Sequence, residues 1–286
     1  MEDEREKVNS LIEILLDELH VSSVWNGGIL LLAFFTLILY FFILPTGKNH
    51  TWWKSIIFII GVFVAYMAIG SPLNIVARIQ FSTHIIQLIL FLLVAPPLLI
   101  IGFKTEIIHK ALKFPIAKKI ANILTKPYVA FILFFTFLTM LHVPAIFDAA
   151  RMDIYTNYFY MFGLLFIAIL YWIPIVTDIC FERKQKLLYV GLSIFALIPV
   201  SLFLMFSTEG MYETYSDLGV FVDALEACFP PDEEPLPASF YESLLPSKPV
   251  QLQHVGGQIL LGGGIVVFLI TMLLVQVFEK RKATKK

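Results

Sequence analysis

The chain has 286 residues, 58% of them hydrophobic and only 15% charged, with a mean hydropathy of +0.82. Soluble domains average roughly 45–50% apolar and about 25% charged, so the composition excludes an ordinary soluble enzyme and points to helices immersed in lipid. The net charge of −1 lacks the basic balance that nucleic-acid binding requires.

Residues 1–7 are charged and mostly acidic, whereas a secretory signal opens on a basic stretch followed directly by an apolar one; no cleaved signal peptide is expected. Residues 8–19 place Leu11, Ile12, Leu15, Leu16 and Leu19 at helical spacing, with Glu13, Asp17 and Glu18 opposite. A short helix lying on the membrane surface is predicted there. A spanning helix needs about 20 mainly apolar residues. Seven stretches qualify: 28–44, 52–70, 81–102, 128–141, 159–179, 187–206 and 255–278. Pro96 and Pro97 predict a kink in the third, since each removes a backbone donor and crowds the preceding turn. Gly256, Gly257, Gly262, Gly263 and Gly264 predict close helix contact in the seventh.

The connections orient these spans. The link 103–126 carries Lys104, Lys110, Lys113, Lys118, Lys119 and Lys126 against Glu106; the link 181–186 carries Arg183, Lys184 and Lys186. Lys48 and Lys54 lie between the first two spans, and Lys280, Arg281, Lys282, Lys285 and Lys286 follow the last. These are alternate connections, so they share one side, and Lys and Arg accumulate in the cytoplasm. The fold class is therefore all-α: a polytopic membrane bundle of seven transmembrane helices, N-terminus outside and C-terminus inside. Its parts are an outer N-terminal segment 1–27, a transmembrane domain 28–278 with an acidic outer loop 207–254, and a basic cytoplasmic tail 279–286. Trp52 and Trp53 fall at one expected interface, and Trp172 lies towards the inner end of the fifth span. Cys180 falls inside and Cys228 outside, so the two cannot pair within one chain; Cys228 is a soft ligand, a partner for another chain, or a small buried residue. No phosphate-binding Gly loop, GxSxG, HExxH or CxxC occurs.

This threading gathers soft donors at the outer boundary. His84 opens the third span, His142 closes the fourth and His254 opens the seventh, with His20 in the N-terminal segment. Met67, Met140, Met152, Met161, Met205 and Met211 lie on the same side. Imidazole and thioether together suit copper, and polar groups bordering a bilayer are costly enough to be functional more often than in water. Against this stands packing: a single interfacial His is more often a hydrogen-bonding group, and Met fills gaps in helical bundles. Gln87, on the same face as His84, can hold its ring by a hydrogen bond. Asp148 reads first as a helix cap and second as a metal ligand. Arg78 reads as an anchor to headgroups or a partner of Asp148 or Asp153.

The motifs now carry a resemblance. Phe81-Ser82-Thr83-His84-Ile85-Ile86-Gln87 followed by Ala95-Pro96-Pro97-Leu98-Leu99 and Gly102, His142-Val143-Pro144-Ala145-Ile146-Phe147-Asp148-Ala149, and Tyr171-Trp172-Ile173-Pro174 resemble segments of the multi-spanning CtaG family of cytochrome c oxidase assembly factors. Met211-Tyr212-Glu213-Thr214-Tyr215 and Gln253-His254-Val255-Gly256-Gly257 resemble its long outer loop and the start of its last span. The likeness runs from about residue 60 to 275 in order. It implies a plasma-membrane, non-enzymatic factor that assembles a copper-containing caa-type oxidase, with His84 and His142 as family positions. The chain departs from the family pattern where Leu88 replaces a second His in span three. It departs again where Asn157 and Met161 stand for an HxxxH pair opening span five.

The expected function is copper binding at the outer face and its delivery to an oxidase subunit, with a copper donor protein as the other candidate partner. His84, His142, His254 and Met161 are the expected ligands; Asn157, Met140, Met205 and Asp148 form a second tier. Two other classes stay open: a copper or small-solute transporter, and a haem-binding membrane protein or membrane enzyme.

Overall fold

Each of the seven apolar stretches is helical over most of its described residues in the computed structural model, which describes residues 21–47, 50–104, 113–177, 181–227, 229 and 236–283. The surface helix expected over 8–19, His20, Cys180 and Cys228 lie outside the described residues. No strand occurs among the described residues. Among the described residues, five helices are long and apolar enough to cross a membrane: Trp52–Gly70, Phe81–Gly102, Ile154–Val176, Arg183–Met205 and Pro249–Gln276. A sixth crossing results if Pro127–Leu141 and Pro144–Met152, bent by 76° at their junction, count as one. Gly27–Ile43 is apolar but shorter.

The element order is α1 (Gly27–Ile38), α2 (Trp52–Gly70), α3 (Pro72–Ile79), α4 (Phe81–Leu88), α5 (Ala95–Gly102), α6 (Pro115–Leu124), α7 (Pro127–Leu141) and α8 (Pro144–Met152). Then come α9 (Ile154–Val176), α10 (Arg183–Met205), α11 (Leu218–Glu226), α12 (Ala238–Leu244) and α13 (Pro249–Ala283). Helix starts follow sequence chemistry. Pro72, Pro127 and Pro144 occupy first-turn positions, where a missing N–H costs nothing. Asn26, Ser71, Asp153 and Asp217 accept from free backbone amides at the starts of α1, α3, α9 and α11.

The expected irregularity in the third span is present and has a specific form. A π-helical stretch, Ile89–Val94, separates α4 from α5. Pro96 has no N–H, which frees the carbonyl four residues earlier. That carbonyl, Leu92 O, accepts instead from Trp172 Nε1 at 3.0 Å. Trp172 is therefore a fully buried core residue (0% exposed) rather than part of an interfacial belt, because its indole satisfies an acceptor that proline orphaned. Trp52 and Trp53, by contrast, are exposed.

The glycines of α13 make room for its neighbours. A Cβ on Gly256 would lie 2.6 Å from Phe81 Cδ1, and one on Gly257 2.7 Å from Ser201 O. Gly102 is tighter still, since a Cβ there would stand 2.5 Å from the backbone nitrogen of Phe58. The main core is a column of aliphatic and aromatic side chains from Phe81 and Phe147 at one end to Trp172 and Tyr189 deeper in. A second cluster, with Val24, Ile75, Val76, Ile79, Phe221, Leu225, Tyr241 and Leu244, joins α3 to α11 and α12. The described part of 207–254 thus folds back over the end of the bundle where α4 begins and α7 stops.

Candidate functional site

α4 and α7 deliver His84 and His142 to the same aromatic floor. Phe81 packs on both rings, with centroid separations of 6.0 Å to His84 and 6.5 Å to His142. Phe147 of α8 stands edge-on to His84 at 5.2 Å. Both histidines are only 2% exposed. Each ring has its Nδ1 engaged and its Nε2 buried without a hydrogen-bond partner. His142 ends α7, and its Nδ1 lies 2.7 Å from Leu138 O. A carbonyl only accepts, so Nδ1 carries the proton and Nε2 holds a lone pair.

His84 sits in a denser network. Its Nδ1 is 3.1 Å from Gln87 Oε1 and 2.6 Å from Arg151 Nη2. Gln87 lies one turn on, as its spacing anticipates, and its amide donates to Ala68 O and Asn74 Oδ1, both at 2.8 Å. Arg151 also reaches Ala77 O at 3.3 Å and the Tyr215 hydroxyl at 3.5 Å, and its guanidinium stacks over Phe147. Arg78 does not face headgroups, Asp148 or Asp153. It is buried and donates from Nη1 to Arg151 O at 2.8 Å and Ala224 O at 2.6 Å. The two carbonyls engage Nη1, while its Nε is buried without a hydrogen-bond partner.

A short turn, Glu213–Tyr215, closes the site. The Tyr212 ring stacks on Phe81 at 4.8 Å, and its hydroxyl donates to His142 O at 3.0 Å. Burial holds this phenol far above its usual pKa, so it stays a neutral donor. The Tyr215 hydroxyl donates to Ala77 O at 2.7 Å; burial raises its pKa despite the opposing pull of Arg151 and Arg78. Asp148 fastens this turn. Its Oδ1 accepts from the Thr214 amide (3.1 Å) and hydroxyl (2.6 Å), and its Oδ2 from the Glu213 amide (3.1 Å). The carboxylate caps a distant turn, while the first cap position of its own helix is Val143.

The remaining expected residues separate into near and far. Asn157 and Met161, one turn apart on α9, line a crevice with Gln87, Arg151, Asn74, Tyr158 and Ile69, directly behind His84. His254 is half-buried and bonded through Nε2 to Ser207 O at 2.8 Å. Met205 packs beneath Gly257, and Met140 is 38% exposed on the outside of α7. No group of three or more His, Cys, Asp or Glu converges among the described residues. The candidate nitrogens for a metal are the two orphaned Nε2 atoms. Sequence reasoning missed Arg151, Tyr212 and Tyr215. Arg151 carried a readable signal: a cation bordering a span, three residues after Asp148 and so on the same helix face.

A helical membrane protein whose bundle end holds a covered imidazole pair is the class that this geometry defines. The family described as cytochrome c oxidase caa3 assembly factor matches residues 24–279, and the chain belongs to it. No curated protein and no solved structure matches the chain.

Proposed function

We propose that the chain is a non-catalytic assembly factor that holds copper at the outer face of the plasma membrane and assists its delivery to, or insertion into, a subunit of the caa3-type oxidase. The observation that carries this reading is the pair of buried, unpartnered Nε2 atoms on His84 and His142, which share one aromatic floor. A buried polar atom without a partner costs roughly 1–3 kcal/mol, and a bound soft cation would satisfy such an imidazole nitrogen. Two imidazoles with a thioether at Met161 suit Cu(I). His254 belongs to a separate contact, its Nε2 bonded to Ser207 O, and is not a member of this pair.

The reading includes seven spans with the N-terminus outside, Gly27–Ile43 being the first and the bent α7–α8 pair supplying the fourth. Alternate basic connections support this orientation. The acidic segment 207–254 is the proposed contact for the oxidase subunit or copper donor. The test is metal analysis of the purified protein, with oxidase assembly as the cellular readout. Replacing both histidines by Ala is expected to abolish stoichiometric copper and mature oxidase. Full retention of both by the double variant would overturn the proposal.

A further inference from the structure

We propose that Arg151 holds His84 in the tautomer that cannot bind a metal, so that copper is taken up at this position only when the guanidinium withdraws. One nitrogen, His84 Nδ1, faces two groups with opposite demands. A guanidinium has only N–H donors and does not deprotonate. At 2.6 Å, Arg151 Nη2 therefore needs a lone pair on Nδ1, which puts the ring proton on Nε2. Gln87 Oε1, at 3.1 Å, needs the proton on Nδ1 instead. The Gln87 amide cannot turn over to relieve this. Its nitrogen donates to Ala68 O and Asn74 Oδ1, and turning it would set oxygen against a backbone carbonyl at 2.8 Å.

The two tautomers differ in the one property that matters for a ligand. With Arg151 engaged, Nε2 is an N–H and has no lone pair to give. With Gln87 engaged, Nε2 carries the lone pair and the ring is ready to ligate. No net proton is gained or lost; the ring proton moves from Nε2 to Nδ1 by exchange. Arg151 also has somewhere to go. Ala77 O and the Tyr215 hydroxyl already lie within reach at 3.3 and 3.5 Å, and the guanidinium borders the crevice lined by Asn157 and Met161. His142 has no such competitor, because its Nδ1 is fixed by Leu138 O. The pair is thus asymmetric: His142 is always poised to ligate, and His84 is conditional. Arg151 is a positioning residue, and its return to Nδ1 would expel the ion from one of two ligands.

This inference rests on the copper reading for its purpose but not for its test. The protein is labelled with 15N-histidine in lipid nanodiscs without metal, and the ring nitrogen shifts are read. Wild type is expected to show His84 protonated on Nε2. Arg151→Met is expected to move that proton to Nδ1, and Arg151→Lys, which keeps a donor, to leave it on Nε2. The His142 signals, protonated on Nδ1 throughout, report that each variant is folded. Wild-type His84 protonated on Nδ1, or an unchanged His84 tautomer in folded Arg151→Met, overturns the proposal. Cu(I) titration against a chromophoric chelator supplies the second arm. At least tenfold tighter binding is expected in Arg151→Met and tenfold weaker binding in Gln87→Met. If no variant binds Cu(I), the copper reading falls, while the tautomer result still decides the role of Arg151.

Discussion

Replacing Asp148 by Ala removes three hydrogen bonds that fasten the Glu213–Tyr215 turn over the histidines, and nothing else near the turn can replace them. Each bond contributes about 1 kcal/mol net. This is below the ~1.5–3 kcal/mol of hydrogen bonds to charged groups, because Glu213 is exposed and water can take over its amide. Thr214, in contrast, is fully buried and loses both its partners. The sum is about 3 kcal/mol, and every 1.4 kcal/mol is tenfold, so local opening should become roughly 150-fold more frequent. Hydrogen exchange reads this directly at the amides of Tyr215, Ser216 and Asp217. Their own acceptors, Tyr212 O and Glu213 O, lie within the turn and are untouched by the substitution. Amides of α10, remote from the turn, should exchange as before. Acceleration of less than tenfold at the three reporters would refute the idea that Asp148 is the fastening.

Three other outcomes follow from the packing and electrostatics. Gly256→Ala forces Phe81 aside, since the new methyl would sit 2.6 Å from its ring; the cost is about 1–3 kcal/mol, and thermal denaturation should register it. Trp172→Phe keeps the stack on Phe268 but strands Leu92 O, lowering stability by about 1–3 kcal/mol in the same assay. At the start of α9, bonds from the Thr156 hydroxyl and amide hold the exposed Asp153 carboxyl below its usual pKa. A depressed carboxylate contributes stability above its unfolded value and loses it as pH falls through the folded one. Acidification below the ordinary carboxylate range should therefore lower the protection factor of the Thr156 amide, taken against its intrinsic exchange rate at each pH, and Asp153→Ala should make that protection factor independent of pH there.

The spans were legible because lipid imposes a length of apolar sequence that little else produces, and the boundaries 52–70 and 81–102 coincide with the helices. Gln87 was legible for a similar reason, since helical spacing alone sets it beside His84. What remained hidden depends on distance along the chain. Pro96 announces a broken helix, but the indole that answers it belongs to Trp172, 80 residues beyond the freed carbonyl of Leu92. Asp148 looks like a local cap, and its true partners are 65 and 66 residues away. Arg151 is a charge near the end of an interfacial helix until α4 is laid against it. Several of the acceptors for Arg78 and Arg151 are backbone carbonyls, which every residue carries, so no side-chain pattern marks them.

The reach of Arg78 has a consequence for how the molecule matures. Its two bonds join residues 73 and 146 positions apart, and Tyr215 closes onto Ala77 across 138 positions. Chains emerge from the N-terminus at roughly 5–20 residues per second. Both histidines are therefore synthesised and inserted well before residues 212–224 exist to cover them. For that interval, several seconds at such rates, the imidazoles stand open to the aqueous phase. The order of synthesis itself makes the cover over the imidazoles the last part of the site to be built.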